Sequence, residues 1–253
     1  MDYRDKTGLF LGLKLHLLTM AETLRACESL IKERNKQHVV INAAKVVSAS
    51  ASEELATIIN KCDLVNADGM AVVWAARLLG IPVPERVAGI DLMNSLVDLA
   101  SRRDYSIYLL GAEENVIKEV ASEFSQRNAR IVGIRNGFWD GDEEEEIVGS
   151  IALEAPDILF IAIPSPAKEI FLSNYLQKLN VGLVVGVGGS FDIVAGKTSR
   201  APVWAQRLGL EWLFRLKQEP RRMFKRYLVG NTKFILLVGS AFVKKLSHAR
   251  KKK

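Results

Sequence analysis

The sequence predicts an α/β fold: an open, largely parallel sheet with helices on both faces, followed by a basic helical appendage at the C-terminus. Three observations carry that expectation. Short apolar runs alternate with longer stretches of helical spacing as far as residue 187. With 253 residues and 49% apolar content the chain can bury one substantial core. Near residue 200 the alternation stops and the charge changes sign. Residues 200–253 hold 15 Lys or Arg against two acids, a net +13, whereas the preceding 199 residues hold 20 bases and 27 acids, a net −7.

Taken in order, residues 9–18 read as a strand, and Thr19 with Glu22 has the spacing of a capping box that opens a helix. Residues 38–42 form a short apolar strand, and Ser50 with Glu53 repeats the capping-box spacing ahead of Leu55, Ile58 and Ile59. Residues 63–67 are a strand and 70–79 a helix that Gly80 and Pro82 end, with 90–101 helical again. Strands at 106–110, 130–135 and 157–163 are followed by helices at 113–127, 142–153 and 167–179, and 182–187 is the last strand. Without a repeat, low-complexity block or linker before Arg200, residues 1–199 read as one domain and 200–253 as its appendage.

The appendage reads as helices over 202–216 and 221–246, separated by Glu219 and Pro220. In the second, Met223, Tyr227, Leu228, Phe234, Leu237, Val238 and Phe242 recur at spacings of three and four among Arg221, Arg222, Lys225, Arg226 and Lys233, making a basic amphipathic helix. Its uncharged stretch, 234–243, is half the length that spans a bilayer but long enough to enter an interface. The first half of this helix either caps its own body or meets a surface; the second half is expected at an anionic membrane. Such charge meets phosphate, and nucleic acid, anionic lipid and a pyrophosphate-bearing substrate all satisfy it.

Composition also excludes. Cys27 and Cys62 build no disulfide framework and fit no zinc spacing, and the N-terminus lacks the pattern of a signal peptide, so a reducing, cytoplasmic compartment is expected. His16, His38 and His248 are too scattered for a metal site or a Ser-His-Asp triad, and no phosphate loop of the GxxxxGK[ST] type occurs.

In an open α/β sheet, ligands bind at the carboxyl ends of strands. Four such ends stand out: Asn42; Asn66-Ala67-Asp68-Gly69; Asn136-Gly137; and the glycine-rich turn through Gly188, Gly189 and Asp192. Asp68 can act as a general base or serve as the N-cap of the helix at Met70. The glycine turn can bring backbone N–H groups to a diphosphate or be a tight structural turn, and Phe191 breaks the dinucleotide pattern. Asp140 and Asp142 can hold a divalent cation but run into Glu143 to Glu146, which favours a solvated acidic helix start.

Several strings then carry a specific resemblance. Asn66-Ala67-Asp68-Gly69-Met70, the run from Pro84 to Leu92, Gly186 to Asp192 with Ala195-Gly196-Lys197 and Arg200-Ala201-Pro202, and the run from Leu208 to Leu216 with Glu219-Pro220-Arg221-Arg222 and Arg226-Tyr227 resemble the WecG/TagA/CpsF family of bacterial glycosyltransferases. The resemblance implies a Rossmann-like body and an inverting enzyme without metal or other cofactor. It implies transfer of N-acetylmannosamine or its uronic acid from a UDP-sugar to a polyprenyl-diphosphate-linked acceptor at the inner face of the cell membrane, for teichoic acid, capsule or exopolysaccharide. Asp68 matches the general base and Arg86 the group that stabilises the departing diphosphate, with an ion pair to Glu85 or Asp91 as the alternative for Arg86. Arg215, Arg221, Arg222 and Arg226 match a lid that closes at the membrane and binds diphosphate. Substrate contacts are expected from Asn42, Asn66, Gly111, Asn136, Gly137, Lys168, Glu169, Gly188, Gly189 and Asp192 as well. The family is also associated with homo-oligomers.

Two departures stand out. Val40 replaces a threonine common in the family, and Pro166-Ala167-Lys168-Glu169 replaces Pro-Lys-Gln-Glu, so a hydroxyl is lost and an amide becomes an ammonium. Transfer of glucuronic acid or a hexose, or a non-catalytic subunit that binds nucleotide sugars, are the alternatives; a nicotinamide oxidoreductase lacks its early glycine fingerprint, and no nucleic-acid partner is expected.

Overall fold

Six strands of mostly uninterrupted apolar sequence give the body a sheet covered on both sides, because every face of each strand needs a partner. The computed structural model describes residues 3–218 and 220–251; the side chains of residues 207, 215, 221–223, 225–227 and 248–251 lie outside that description. A hairpin, β1 (Thr7–Phe10) and β2 (Leu13–His16), precedes α1 (Met20–Glu33), β3 (Lys36–Ile41), α2 (Ala43–Ser50), α3 (Glu53–Lys61), β4 (Leu64–Ala67), α4 (Met70–Leu78) and α5 (Gly89–Arg103). Then come β5 (Ser106–Gly111), α6 (Glu114–Gln126), β6 (Arg130–Arg135), α7 (Glu144–Glu154), β7 (Ile158–Ala162), α8 (Ala167–Tyr175), β8 (Leu183–Gly186) and α9 (Ser190–Val194). The chain ends in α10 (Val203–Arg207), α11 (Glu211–Gln218) and α12 (Pro220–Lys251).

The sheet order is β4-β3-β8-β7-β5-β6, and every neighbouring pair is parallel. Period-two alternation divides the core. Ile107, Leu109, Ile158, Phe160, Leu183 and Val185 face α1, α5, α6 and α9, while Leu110, Leu159, Ile161 and Val184 face α7 and α8. Because β3 precedes a helix on one face and β8 a helix on the other, their carboxyl ends flank a crevice of the kind in which such sheets bind ligands.

The single strand expected over residues 9–18 is a hairpin. Leu11 and Gly12 both take positive φ, 49° and 83°, which is what a two-residue primed turn needs and what the leucine conceals in sequence. The hairpin covers the β4 edge: Val65 N–H donates to His16 Nδ1 at 3.0 Å, and burial, with Lys14 nearby, lowers the His16 pKa to about 4. Thr19 and Glu22 form the capping box expected of them. The expected cap at Ser50 is displaced: Ser50 ends α2, and Ser52 accepts the hydrogen bond from Leu55 N–H that starts α3. The helix expected over 202–216 breaks at Gly209, whose φ of 69° lets it lie against Met70 and Trp74.

α12 packs on α2 and enters the core through Phe234 and Val238, the Phe234 ring lying 6.5 Å from that of Phe10. The middle of this helix therefore meets the body, whereas Phe224, Leu228 and Val229 ahead of it are exposed. Its opposite face leaves Ile235, Leu236 and Val243 exposed. Among the described residues no helix is long and apolar enough to cross a membrane.

Candidate active site

Backbone hydrogen bonds at the carboxyl end of β4 bring two distant segments together. Asp68 N–H donates to Ile41 O at 2.8 Å, and Val87 N–H donates to Ala67 O at 2.9 Å, so the loop carrying Arg86 lies against the strand end that carries Asp68. The N-cap of α4 is Gly69, with φ of 100°, and not Asp68. Asp68 stands one residue ahead of that N-cap.

Neither neighbour in sequence pairs with Arg86. Glu85 accepts from Met20 N–H, and Asp91 is held by Arg200. Arg86 Nη1 instead donates to Glu211 Oε2 at 2.9 Å, and Nη2 reaches Gln206 Oε1 at 3.5 Å. Both partners belong to the segment after residue 200, which is further tied down by reciprocal hydrogen bonds between the Ser199 backbone and the Gln218 amide, at 3.1 and 2.9 Å. Glu211, Arg200 and Gln206 thus join a site from which the sequence pattern, read residue by residue, had left them out. Arg200 and Glu211 lie within the strings quoted above, whereas Gln206 falls between two of them.

Asn42 and Asn66 are spent on the fold. Asn42 Oδ1 accepts from Lys45 N–H at 3.0 Å and caps α2. Fully buried Asn66 donates to Thr23 Oγ1 at 3.2 Å and accepts from His38 Nε2, also at 3.2 Å, an assignment that makes His38 a neutral donor. Burial lowers the His38 pKa to about 3, in keeping with that neutral state. Asn66 therefore supports the strand end from beneath.

Gly111, Asn136 and Gly137 close the far end of the same edge. A Cβ on Gly111, at φ 117°, would lie 2.7 Å from the Ala162 carbonyl, and Gly137 N–H donates to Ala112 O at 2.8 Å, so both glycines serve close backbone approach. Asn136 Nδ2 donates to Glu114 and its Oδ1 accepts from Phe138 N–H. Gly188, at φ 52°, and Gly189 are exposed on the turn after β8, with half-buried Asp192 beside them. Asp140 joins Glu143 in a capping box, and Glu143 pairs with Arg135 at 2.6 Å, the solvated helix start that the sequence favoured.

Lys168 and Glu169 lie beneath the crevice on the α2 and α8 side. Glu169 is fully buried and its Oε1 takes Lys45 Nζ at 2.7 Å and Lys168 Nζ at 3.5 Å. Burial would raise the Glu169 carboxyl, but the two ammoniums overrule it and hold its pKa near 2. Burial, with Lys45 beside it, pushes Lys168 down to about 8, and a Cβ on Gly186 would meet its Nζ at 2.6 Å. Val40, the other departure, faces Gly89 at the start of α5. The side chains of Arg215, Arg221, Arg222 and Arg226 lie outside the described residues. Between α10 and α11 an apolar pocket of about 390 Å³ is lined by Trp204, Ala205, Leu210, Leu213, Phe214, Leu216 and Lys217.

A carboxylate and a guanidinium at the carboxyl edge of a parallel sheet, with an exposed glycine turn, fit group transfer from a diphosphate. The family model described as "Glycosyl transferase WecG/TagA/CpsF family" matches residues 9–250. The chain belongs to the WecG/TagA/CpsF family. It is a glycosyltransferase. It is similar to the N-acetylglucosaminyldiphosphoundecaprenol N-acetyl-beta-D-mannosaminyltransferase of Bacillus subtilis (strain 168), 33% identical over 74% of this chain and 73% of that one. The enzyme of the same name from Bacillus spizizenii (strain W23) is 29% identical over 83% of this chain and 82% of its own length.

Proposed function

We propose that this WecG/TagA/CpsF member is an inverting transferase that moves an N-acetylmannosamine-type sugar, or its uronic acid, from a UDP-sugar to a polyprenyl-diphosphate-linked acceptor. The observation that carries the reading is the backbone junction that sets Arg86 beside the Asp68 strand end. Asp68 takes the proton of the acceptor hydroxyl as its oxygen attacks the anomeric carbon; the bond from that carbon to the diphosphate oxygen breaks, and UDP leaves. Arg86 offers a planar fork to the diphosphate charge, which has to displace Glu211 from it. The names of the two Bacillus relatives support the acceptor class.

The polar end of such an acceptor is at a membrane, and the surface fits that approach. The exposed apolar residues of α12, with Trp204 at the apolar pocket and exposed Trp212 on α11, belong to a segment of net +13, suited to the inner, anionic leaflet. The pocket takes the first part of the polyprenyl chain. Lys168, Gly188, Gly189 and Asp192 stay assigned to the donor side of the crevice, and the four C-terminal arginines to the diphosphate at the lid.

A panel of UDP-sugars, incubated with a polyprenyl-diphosphate-linked N-acetylglucosamine acceptor in anionic vesicles, tests the reading. Release of UDP that requires acceptor, from one donor above the rest, is the expected result. Binding of a UDP-sugar without turnover on any acceptor would favour a subunit that has lost catalysis.

A further inference from the structure

Around Asp68 and Arg86 the charged groups form a chain of alternating sign in which Arg200 is the central member. Its Nη1 meets Asp91 Oδ1 and its Nη2 meets Asp91 Oδ2, each at 2.7 Å, a two-point contact that arginine makes and lysine does not. Asp91 lies in the first turn of α5, directly after the loop of Arg86. The carboxylates of Glu211 and Asp68 add to the attraction that Asp91 exerts on the Arg200 charge. Arg86 is thereby paired with Glu211 and Arg200 with Asp91, and the charge of Asp68 acts on Arg200 as well. Arg200 Nε is buried and makes no hydrogen bond among the described residues, which leaves one N–H for a ligand oxygen.

We propose that Arg200 is a positioning residue for the transfer: it fastens the first turn of α5 to the segment that carries Glu211, and it keeps positive charge against Asp68 so that the base stays ionised among its like-charged neighbours. The proposal rests on the reading of Asp68 as the base. Without Arg200, Asp68 loses one of the positive charges that favour its ionised form.

Three variants separate charge from clamp. In Arg200→Gln the acid limb of kcat/KM is expected to move up by about one pH unit, with a loss of about tenfold or more at neutral pH. Arg200→Lys keeps the charge and returns the limb to its wild-type position, while the rate stays reduced because the fork is lost. Asp91→Asn loosens the clamp without moving the limb upward. Amide hydrogen exchange across residues 203–218 should rise in Arg200→Gln and Asp91→Asn, a readout that needs no turnover. An unmoved acid limb in folded Arg200→Gln, or unchanged exchange in both variants, overturns the proposal while wild-type transfer stands. Failure of the wild-type protein to transfer from any donor overturns the reading of function and this role with it.

Discussion

A buried carboxylate shared by two lysines shows how far the charge of one residue governs its neighbours. Glu169 has no exposed surface, and both Lys45 and Lys168 converge on the same oxygen. Removing its charge in Glu169→Gln leaves two buried ammoniums without a counter-ion, a loss of about 3–5 kcal/mol that a denaturant titration would read directly. Lys168→Gln does the reverse, leaving one balanced pair, so it is expected to unfold no earlier than the wild type. The Lys168 ammonium also carries a pH signature. Its pKa in the folded state is lowered to about 8, so between that value and the ordinary lysine value the unfolded chain holds the extra proton, and stability rises with pH across that window. In Lys168→Gln that rise disappears. If Lys168 contacts the donor, the same variant also loses transfer while keeping its fold; unchanged kinetics would remove Lys168 from the site.

At the scale of elements, α12 has two faces with different work to do. Phe234→Ala opens a cavity in the core shared with Phe10 and Ile41, and is expected to cost about 3–5 kcal/mol. Leu236→Glu, on the exposed face, is expected to leave stability within about 0.5 kcal/mol while weakening binding to anionic vesicles. Thermal melts and vesicle flotation separate the two. This element also marks where the sequence stopped being legible. Its amphipathic pattern was plain, but Phe234, Leu237, Val238 and Phe242 lie on one turn-to-turn stripe, and only contact with α2 decides which stay inside. The six strands and the Thr19–Glu22 cap could be read because apolar runs and capping boxes are local signals. The β1–β2 turn could not, because a leucine at positive φ has no local signature. In the candidate site, Asp68 and Arg86 are singled out by their strings, whereas Glu211 reaches Arg86 across 125 positions of sequence, a pairing that only the fold creates.

For the whole molecule, the sequence separates an acidic body from a basic C-terminal segment. A body of net −7 is repelled by an anionic surface that the +13 segment seeks, so the molecule has a preferred approach. Association with anionic vesicles is accordingly expected to weaken as salt rises, and to be nearly absent on neutral vesicles, while duplex DNA is not retained at the same ionic strength. Sedimentation with vesicles of the two compositions checks this. α10 and α11 line the apolar pocket and also hold Arg86 through Gln206 and Glu211.

The central claim is that Asp68, presented at the end of β4 one residue ahead of the α4 N-cap, is the base of the transfer. The measurement that tests it most directly is acceptor-dependent UDP release by wild type and by Asp68→Asn at saturating donor and acceptor, with UDP affinity and melting temperature measured beside it. A fall of about 10²–10⁴-fold in rate with binding and fold retained is the predicted result. A folded Asp68→Asn that transfers within a few-fold of wild type would contradict it.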